Sequence, residues 1–145
     1  MKCVYNDGGR ASAKYLGHTG DCVCRAIAIA TGETYQTVYD WLFQYAQRER
    51  PGSKRRKGRR SSPRTGVFKP TYTRLLTDLG WTFTPTMSIG SGCKVHLRAG
   101  ELPNGRLIVS VSKHMTAVID GVIHDTHDPS RRGTRCVYGY WSKRP

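Results

Sequence analysis

The chain has 145 residues, and 24 Lys and Arg against 10 Asp and Glu give it a formal net charge of +14. A chain of this length is typical of one domain with a real core, and its 37% hydrophobic content argues against general disorder. It contains no apolar run near the ~20 residues of a membrane span, and no signal-peptide pattern follows Met1 and Lys2. We therefore expect a single domain over residues 1–145, in the cytoplasm, with no membrane partner and no cofactor.

The five cysteines are Cys3, Cys22, Cys24, Cys93 and Cys136. An odd number leaves at least one thiol outside any full set of disulfides. In a reducing cytoplasm, cysteines are usually buried, metal-binding or catalytic. The surroundings of each thiol in the sequence therefore indicate which of these roles it has.

The first half of the chain reads as two helices after a mostly irregular lead-in over residues 1–20. Residues 21–30 are apolar nearly all round, which predicts a short central helix with Asp21 at the N-cap position. A second helix is expected from Thr34, its N-cap, to about Arg48. Its apolar face repeats at helical spacing through Val38, Trp41, Leu42 and Tyr45.

Residues 48–66 differ sharply from their surroundings. Between 48 and 64, nine basic residues accompany one acid, Glu49, and Pro, Gly and Ser punctuate the segment. Such composition predicts a disordered insert, serving either as a solvated linker or as an arm for nucleic acid or another acidic partner. The candidate polyanion-binding residues are Arg55, Arg56, Lys57, Arg59 and Arg60.

The second half of the chain reads mainly as strands. A third helix is expected over 69–79, then strands over 81–84, 107–111, 115–119, 122–126 and 136–141, while 94–99 could form one helical turn. Helices followed by a β-meander predict an α+β fold with N-terminal helices packed on a C-terminal antiparallel sheet.

The Asp120–Gly121 pair between two apolar runs is the strongest hairpin signal in the chain. With this pair as the turn, Thr116 lies opposite Asp125, so His114 and Asp125 share one face on a diagonal. Asp125 is then within reach of the His114 imidazole. One bulge would reverse the parity and favour Asp128 as the alternate partner.

Cys22 stands where a helix N-terminus would lower its pKa, because free backbone N–H groups favour a thiolate there. Thiol acyl transfer needs such a thiolate, a nearby imidazole and a group that orients the imidazole. Cys22 as nucleophile, His114 as general base and Asp125 as orienter satisfy this pattern in the sequence.

Two segments carry a family resemblance: residues 20–27, GDCVCRAI, and residues 113–126, KHMTAVIDGVIHDT. Together they resemble the papain-like cysteine peptidase superfamily, in the style of its small phage and plasmid members and of peptidase domains that process bacteriocin leaders. The resemblance implies a papain-like fold whose central helix is opened by Cys22. It also implies a thiol protease or amidase acting on a protein or peptide, and a phage or mobile-element origin.

Papain relatives place a Gln shortly before the catalytic Cys to complete the oxyanion hole, and residues 15–19 contain none. The candidates to replace it are His18, Thr19 and Asn6, beside the backbone N–H of Cys22. The same departure supports an alternative hypothesis, in which an inactive papain-like fold serves as a basic nucleic-acid- or protein-binding module. A weaker alternative is a zinc site built from His18, Cys22, Cys24, Cys93 and His96.

Overall fold

A computed structural model describes residues 1–16, 20–50 and 59–144. These residues form three α-helices and six strands, so the α+β class predicted from the sequence is confirmed. The helices are α1 (Cys22–Thr31), α2 (Tyr35–Ala46) and α3 (Lys69–Asp78). The strands are β1 (Cys3–Tyr5), β2 (Thr82–Pro85), β3 (Arg106–Val111), β4 (His114–Ile119), β5 (Val122–Asp125) and β6 (Val137–Ser142).

The six strands form one mixed sheet in the order β1-β5-β4-β3-β6-β2. Every neighbouring pair is antiparallel except β1 and β5, which run parallel with Cys3 opposite Ile123. The described part of the lead-in is mostly irregular, as predicted, apart from β1, and the prediction of an antiparallel sheet was wrong at this edge. A strand of three residues is too short to show an alternating pattern, and it forms here because β5 offers an unpaired edge.

The hairpin between β4 and β5 has the predicted register, with Ile119 opposite Val122. Its two turn residues, Asp120 and Gly121, both have left-handed backbone angles, with φ of 48° and 78°. That conformation defines the tight turn for which the Asp-Gly pair is selected. The register places His114 and Asp125 toward the same end of the hairpin.

The helices cover one face of the sheet. Residues Val23 to Ala30 of α1 are all buried, which confirms its predicted central position, and α1 packs against β4 and β3. Thr34 caps α2 as predicted, because its hydroxyl accepts a hydrogen bond from the Thr37 N–H at 3.1 Å. On the opposite face, a second apolar cluster includes Leu97, Leu107, Val109, Val118 and Ile123.

The boundaries of the basic insert differ from the prediction. The part over 51–58 lies outside the described residues, but 59–66 forms a packed loop that Ser62 and Gly66 close with two backbone hydrogen bonds. The buried Glu49 carboxylate accepts hydrogen bonds from the N–H and hydroxyl of Ser61 and from the hydroxyl of Thr71. The expected disorder was therefore too broad, because one buried acid organises both ends of the insert.

Cys93 and Cys136 form a disulfide with their Cα atoms 5.8 Å apart. The nearby residue His96 pairs with Cys136 in an isolated antiparallel β-bridge. The helical turn considered for residues 94–99 does not form. Disulfides persist in oxidising surroundings, so this pair does not support the reducing cytoplasm that the sequence predicted. The cytoplasmic location stays a prediction. No helix in the described part of the chain is long and apolar enough to cross a membrane.

Glu49→Ala should lower the free energy of unfolding by about 2–3 kcal/mol, because the Ser61 N–H and the Thr71 hydroxyl would lose a charged, buried acceptor. Urea unfolding followed by circular dichroism measures the change. Glu33→Ala, which removes an exposed acid, is the matched control and should change stability little. Equal stability of the two variants would contradict the packed position of residues 59–66.

Candidate active site

The structure brings Cys22, His114 and Asp125 together from three separate elements. Cys22 is the first residue of α1, His114 the first of β4 and Asp125 the last of β5. Cys22 is half-buried, whereas the side chains of His114 and Asp125 are only 11% and 2% exposed. The helix and the hairpin meet because α1 packs directly on β4.

The imidazole of His114 lies between the other two side chains. Its Nε2 is 2.7 Å from Oδ2 of Asp125, and the ring is close enough to the Cys22 thiol to lower the pKa of that thiol. Because Nε2 faces the carboxylate, Nδ1 is the nitrogen left for the thiol. The order is therefore thiol, imidazole and carboxylate, as nucleophilic catalysis requires.

The electrostatic surroundings favour a thiolate paired with an imidazolium. Burial raises the pKa of Cys22, but the hydrogen bond and charge of His114, the N–H of Met115 and the charge of Arg25 outweigh it and lower that pKa. Burial likewise lowers the pKa of His114, yet the hydrogen-bonding and electrostatic interactions with Asp125 and Cys22 raise that pKa to about 9. The lowered pKa of Cys22 and the raised pKa of His114 both favour transfer of the proton from the thiol to the imidazole.

Asp125, rather than Asp128, orients the imidazole. Burial raises the pKa of Asp125, but the hydrogen bond and charge of His114 and the hydrogen bond from the Thr126 N–H hold that pKa well below its ordinary value. Asp128 instead accepts a hydrogen bond from the Ser130 N–H at 2.9 Å. The regular register of the hairpin, with no bulge between β4 and β5, is the reason.

The other oxygen of Asp125 binds a buried arginine that the sequence reasoning missed. Arg25 donates from Nη1 to Oδ1 of Asp125 at 2.8 Å and from Nε to Oδ1 of Asp21 at 2.9 Å. Asp21 also accepts from Tyr35 and Arg10. The available signal was a single charge four residues after Asp21 in an otherwise apolar helix.

These contacts correct the role expected of Asp21. The residue occupies the N-cap position of α1, but its side chain makes no capping hydrogen bond. Its carboxylate is drawn into the ion pair with Arg25 instead. The first N–H groups of α1, including that of Cys22, have no partner within the helix and are not taken by the Asp21 side chain.

Cys22 and His114 line a cleft of about 490 Å³. One wall comes from residues 65–69, the end of the basic insert and the start of α3, and the other from β3 and β4. Gly20 lets the segment before α1 approach the first wall, because a Cβ at this position would lie 2.6 Å from the carbonyl oxygen of Thr65. The nucleophile is thus reached through a defined opening.

Of the three oxyanion candidates, only Asn6 is among the described residues. His18 and Thr19 lie outside the described residues. Asn6 is described and does not line the cleft: its Oδ1 accepts from the Gly8 N–H and its Nδ2 lies 3.3 Å from His124. The suggestion that Asn6 completes an oxyanion hole was therefore wrong, because β1 carries this residue to the edge of the sheet beside β5.

Two of the five predicted polyanion-binding residues are among the described residues. Arg55, Arg56 and Lys57 lie outside the described residues, whereas Arg59 and Arg60 are described. Arg60 donates to the carbonyls of Ala46 and Gln47 at 3.2 and 3.1 Å. Its guanidinium therefore caps the carbonyl groups at the C-terminal end of α2, where a cation is favourable.

The alternative zinc site is not assembled from its described members. Cys93 is in the disulfide, His96 lies 3.3 Å from Glu101, and the buried Cys24 faces the carbonyl of Tyr35. Among the described residues, the side chains close enough to hold a metal ion are His114, Asp125 and His127, with ligand atoms within 4.8 Å. The ion pair of Asp125 with Arg25 opposes a further cation there.

Comparisons with protein-family models, with curated proteins and with solved structures found no significant match.

Arg25→Met should lower the free energy of unfolding by about 3 kcal/mol, because it leaves two buried carboxylates without their shared cation. Urea unfolding measures the loss. Arg98→Met, which removes the cation of an exposed pair with Glu101, is the matched control and should have little effect. If the two variants were equally stable, the buried network would not hold α1 to the hairpin.

Alkylation by iodoacetamide should select Cys22, because its pKa is lowered, whereas burial raises the pKa of Cys3 and raises that of Cys24 to about 12. Mass spectrometry of each cysteine across pH 5–10, without reductant, gives the rates. In His114→Ala the rise in Cys22 labelling should move to higher pH, because the hydrogen bond and charge that favour the thiolate are gone. Labelling of Cys22 and Cys3 over the same pH range would contradict this.

Proposed function

We propose that this protein is a papain-like thiol hydrolase that cleaves a peptide, isopeptide or related amide bond through Cys22, His114 and Asp125. The observation that carries the proposal is the thiol–imidazole–carboxylate sequence at a cleft, with the 2.7 Å contact between His114 and Asp125. The lowered pKa of Cys22 adds the reactivity that a nucleophilic thiol needs.

The papain-like part of the proposal rests on the placement of the three residues. A nucleophile opens a central helix, the imidazole begins a strand of the sheet behind it, and the carboxylate ends the neighbouring strand. The chain order of Cys, His and Asp is the one that the resemblance in sequence implies.

In the first half of the reaction, the Cys22 thiolate attacks the carbonyl carbon and the carbon–oxygen double bond opens to an oxyanion. The backbone N–H groups at the start of α1 are the donors available to that oxyanion. The protonated Nδ1 of His114 then gives its proton to the leaving amine as the carbon–nitrogen bond breaks. The product is a thioester on Cys22.

In the second half, His114 accepts a proton from water, whose oxygen attacks the thioester. The carbon–sulfur bond breaks, the acid product leaves, and the thiolate–imidazolium pair is restored. Asp125 keeps Nε2 of His114 protonated in both halves. Because Arg25 and the Thr126 N–H fix the carboxylate, the imidazole stays aimed at the thiol.

The surroundings of the cleft favour an extended substrate. A second cavity of about 530 Å³ adjoins the cleft, and Lys69, Tyr72 and Ser110 line both. Its other walls are largely apolar and include Phe83, Met87 and Trp141. A peptide with a large apolar side chain near the scissile bond fits this arrangement.

The basic insert adds a route for recruiting an acidic partner or nucleic acid. Its far end re-enters the fold at residues 59–66, and Thr65 and Gly66 form part of the wall of the cleft. A partner attracted to the insert is therefore held beside the nucleophile. The attraction itself is electrostatic and decreases with salt.

Cleavage of a quenched-fluorescent peptide library should disappear in Cys22→Ala and fall by about 10²–10⁴-fold in His114→Ala, the range expected for a general base. The rate should rise as Cys22 ionises and fall as the pH passes about 9, where His114 loses its proton. Cys24→Ala, which removes a buried thiol from the same helix, is the control and should keep the activity.

Full activity in Cys22→Ala would overturn the proposal. If no peptide in the library is cleaved and Cys22 labels no faster than Cys3, the alternative of an inactive basic binding module is favoured. Deletion of residues 51–58 then tests that alternative, because binding to a polyanion should be lost.

A further inference from the structure

A separate cavity of about 480 Å³ lies at the opposite end of α1 from Cys22. Ala30 and Thr31, at the C-terminal end of the helix, form part of its wall. A helix of ten residues is about 15 Å long, so this cavity is remote from the thiol. The hydrolytic reaction described above does not use it.

Two tryptophans give the cavity an aromatic wall. Trp41 lies on α2 and is half-buried, and Trp81 lies between α3 and β2 and is only 6% exposed. Trp81 is packed in the core, so it gives the wall a rigid base. Trp41 packs against the core but stays partly exposed where it lines the cavity, so a ligand can contact it there.

Three cations surround the same cavity: Arg106, Lys143 and Arg144. Arg106 is held in place because its Nη1 donates to the carbonyls of Ile29 and Ala30 at 3.2 and 3.5 Å. Among the described residues, Glu33 is the only carboxylate in the lining. Three positive charges and one negative charge leave the cavity cationic.

We propose that this cavity binds a nucleotide, with its base stacked on Trp41 and its phosphate held by Lys143 and Arg144. An aromatic face beside cations is the combination with which proteins hold unpaired nucleotides, since every base has a stacking face and every phosphate a charge. The volume lies within the 300–1,000 Å³ typical of ligand pockets.

The cavity has aromatic side chains, which the basic insert lacks. Residues 48–64 contain no aromatic residue, so the insert can attract phosphates but cannot stack bases. The nucleotide can come from two sources, a free mononucleotide or one position of a single strand. Both share the chemistry of a base and a phosphate, and the experiment separates them.

The test is fluorescence anisotropy of a labelled ten-nucleotide oligothymidylate titrated with the full chain, in low and moderate salt. The variants are Trp41→Ala, Trp41→Phe and the pair Lys143→Gln with Arg144→Gln. The pair Lys2→Gln with Lys94→Gln is the matched control, because it removes the same charge from exposed positions outside the cavity. All variants keep the basic insert, and thermal unfolding checks that each is folded.

Loss of one stacked base should weaken binding by about 5- to 150-fold in Trp41→Ala, and Trp41→Phe should restore most of it. The Lys143 and Arg144 pair should weaken binding more than the control pair. Competition by thymidine monophosphate indicates that a free nucleotide occupies the site. Absence of that competition, with the variant effects retained, assigns the site to a nucleotide within a strand.

The proposal is overturned if Trp41→Ala binds within twofold of the wild type, or if the two charge-removing pairs weaken binding equally. The second result would mean that net charge, and not this cavity, attracts the strand. If Trp41→Ala does not fold, the comparison of the two pairs decides alone.

Discussion

The buried carboxylate of Asp125 joins the candidate chemistry to the fold. One oxygen holds His114 and the other holds Arg25, whose guanidinium also binds Asp21, the residue before Cys22. A buried carboxylate is stable only when its charge is compensated, so neither partner can be lost without cost. The same ion pairs that stabilise the contact between α1 and the hairpin therefore set the position of the imidazole relative to the thiol.

Helix α1 connects the two sites that we propose. Its N-terminal end carries Cys22, where free N–H groups favour a negative charge. Its C-terminal end is covered by Arg106, which binds the last carbonyls and lines the cationic cavity. Because the helix is buried between α2 and the sheet, its two ends are fixed relative to each other. The cleft and the cavity share no lining residue, so the two activities that we propose can be tested by separate substitutions.

The large positive charge of the chain serves more than one purpose once the structure is considered. Arg25 compensates buried acids, and Arg60 and Arg106 bind carbonyls at the ends of α2 and α1. These cations stabilise the fold locally. Lys143 and Arg144 line a cavity, and Lys69 and Lys113 line the cleft. The net charge of +14 thus combines structural cations with cations that line the cavity and the cleft.

The sequence by itself determined the α+β class, the three helices and the hairpin at Asp120–Gly121, because these depend on local periodicity and turn chemistry. It also placed Cys22 at a helix start and His114 and Asp125 on one face of the hairpin. Only the tertiary structure decided the parallel strand β1, the packing of residues 59–66, the Cys93–Cys136 disulfide and the role of Asp21. The strand, the packed loop and the disulfide join segments that are separated in sequence, and the role of Asp21 depends on Arg25, which is anchored by Asp125, 100 residues away. Contacts of this kind leave no local pattern, because they form only when packing brings the two segments together.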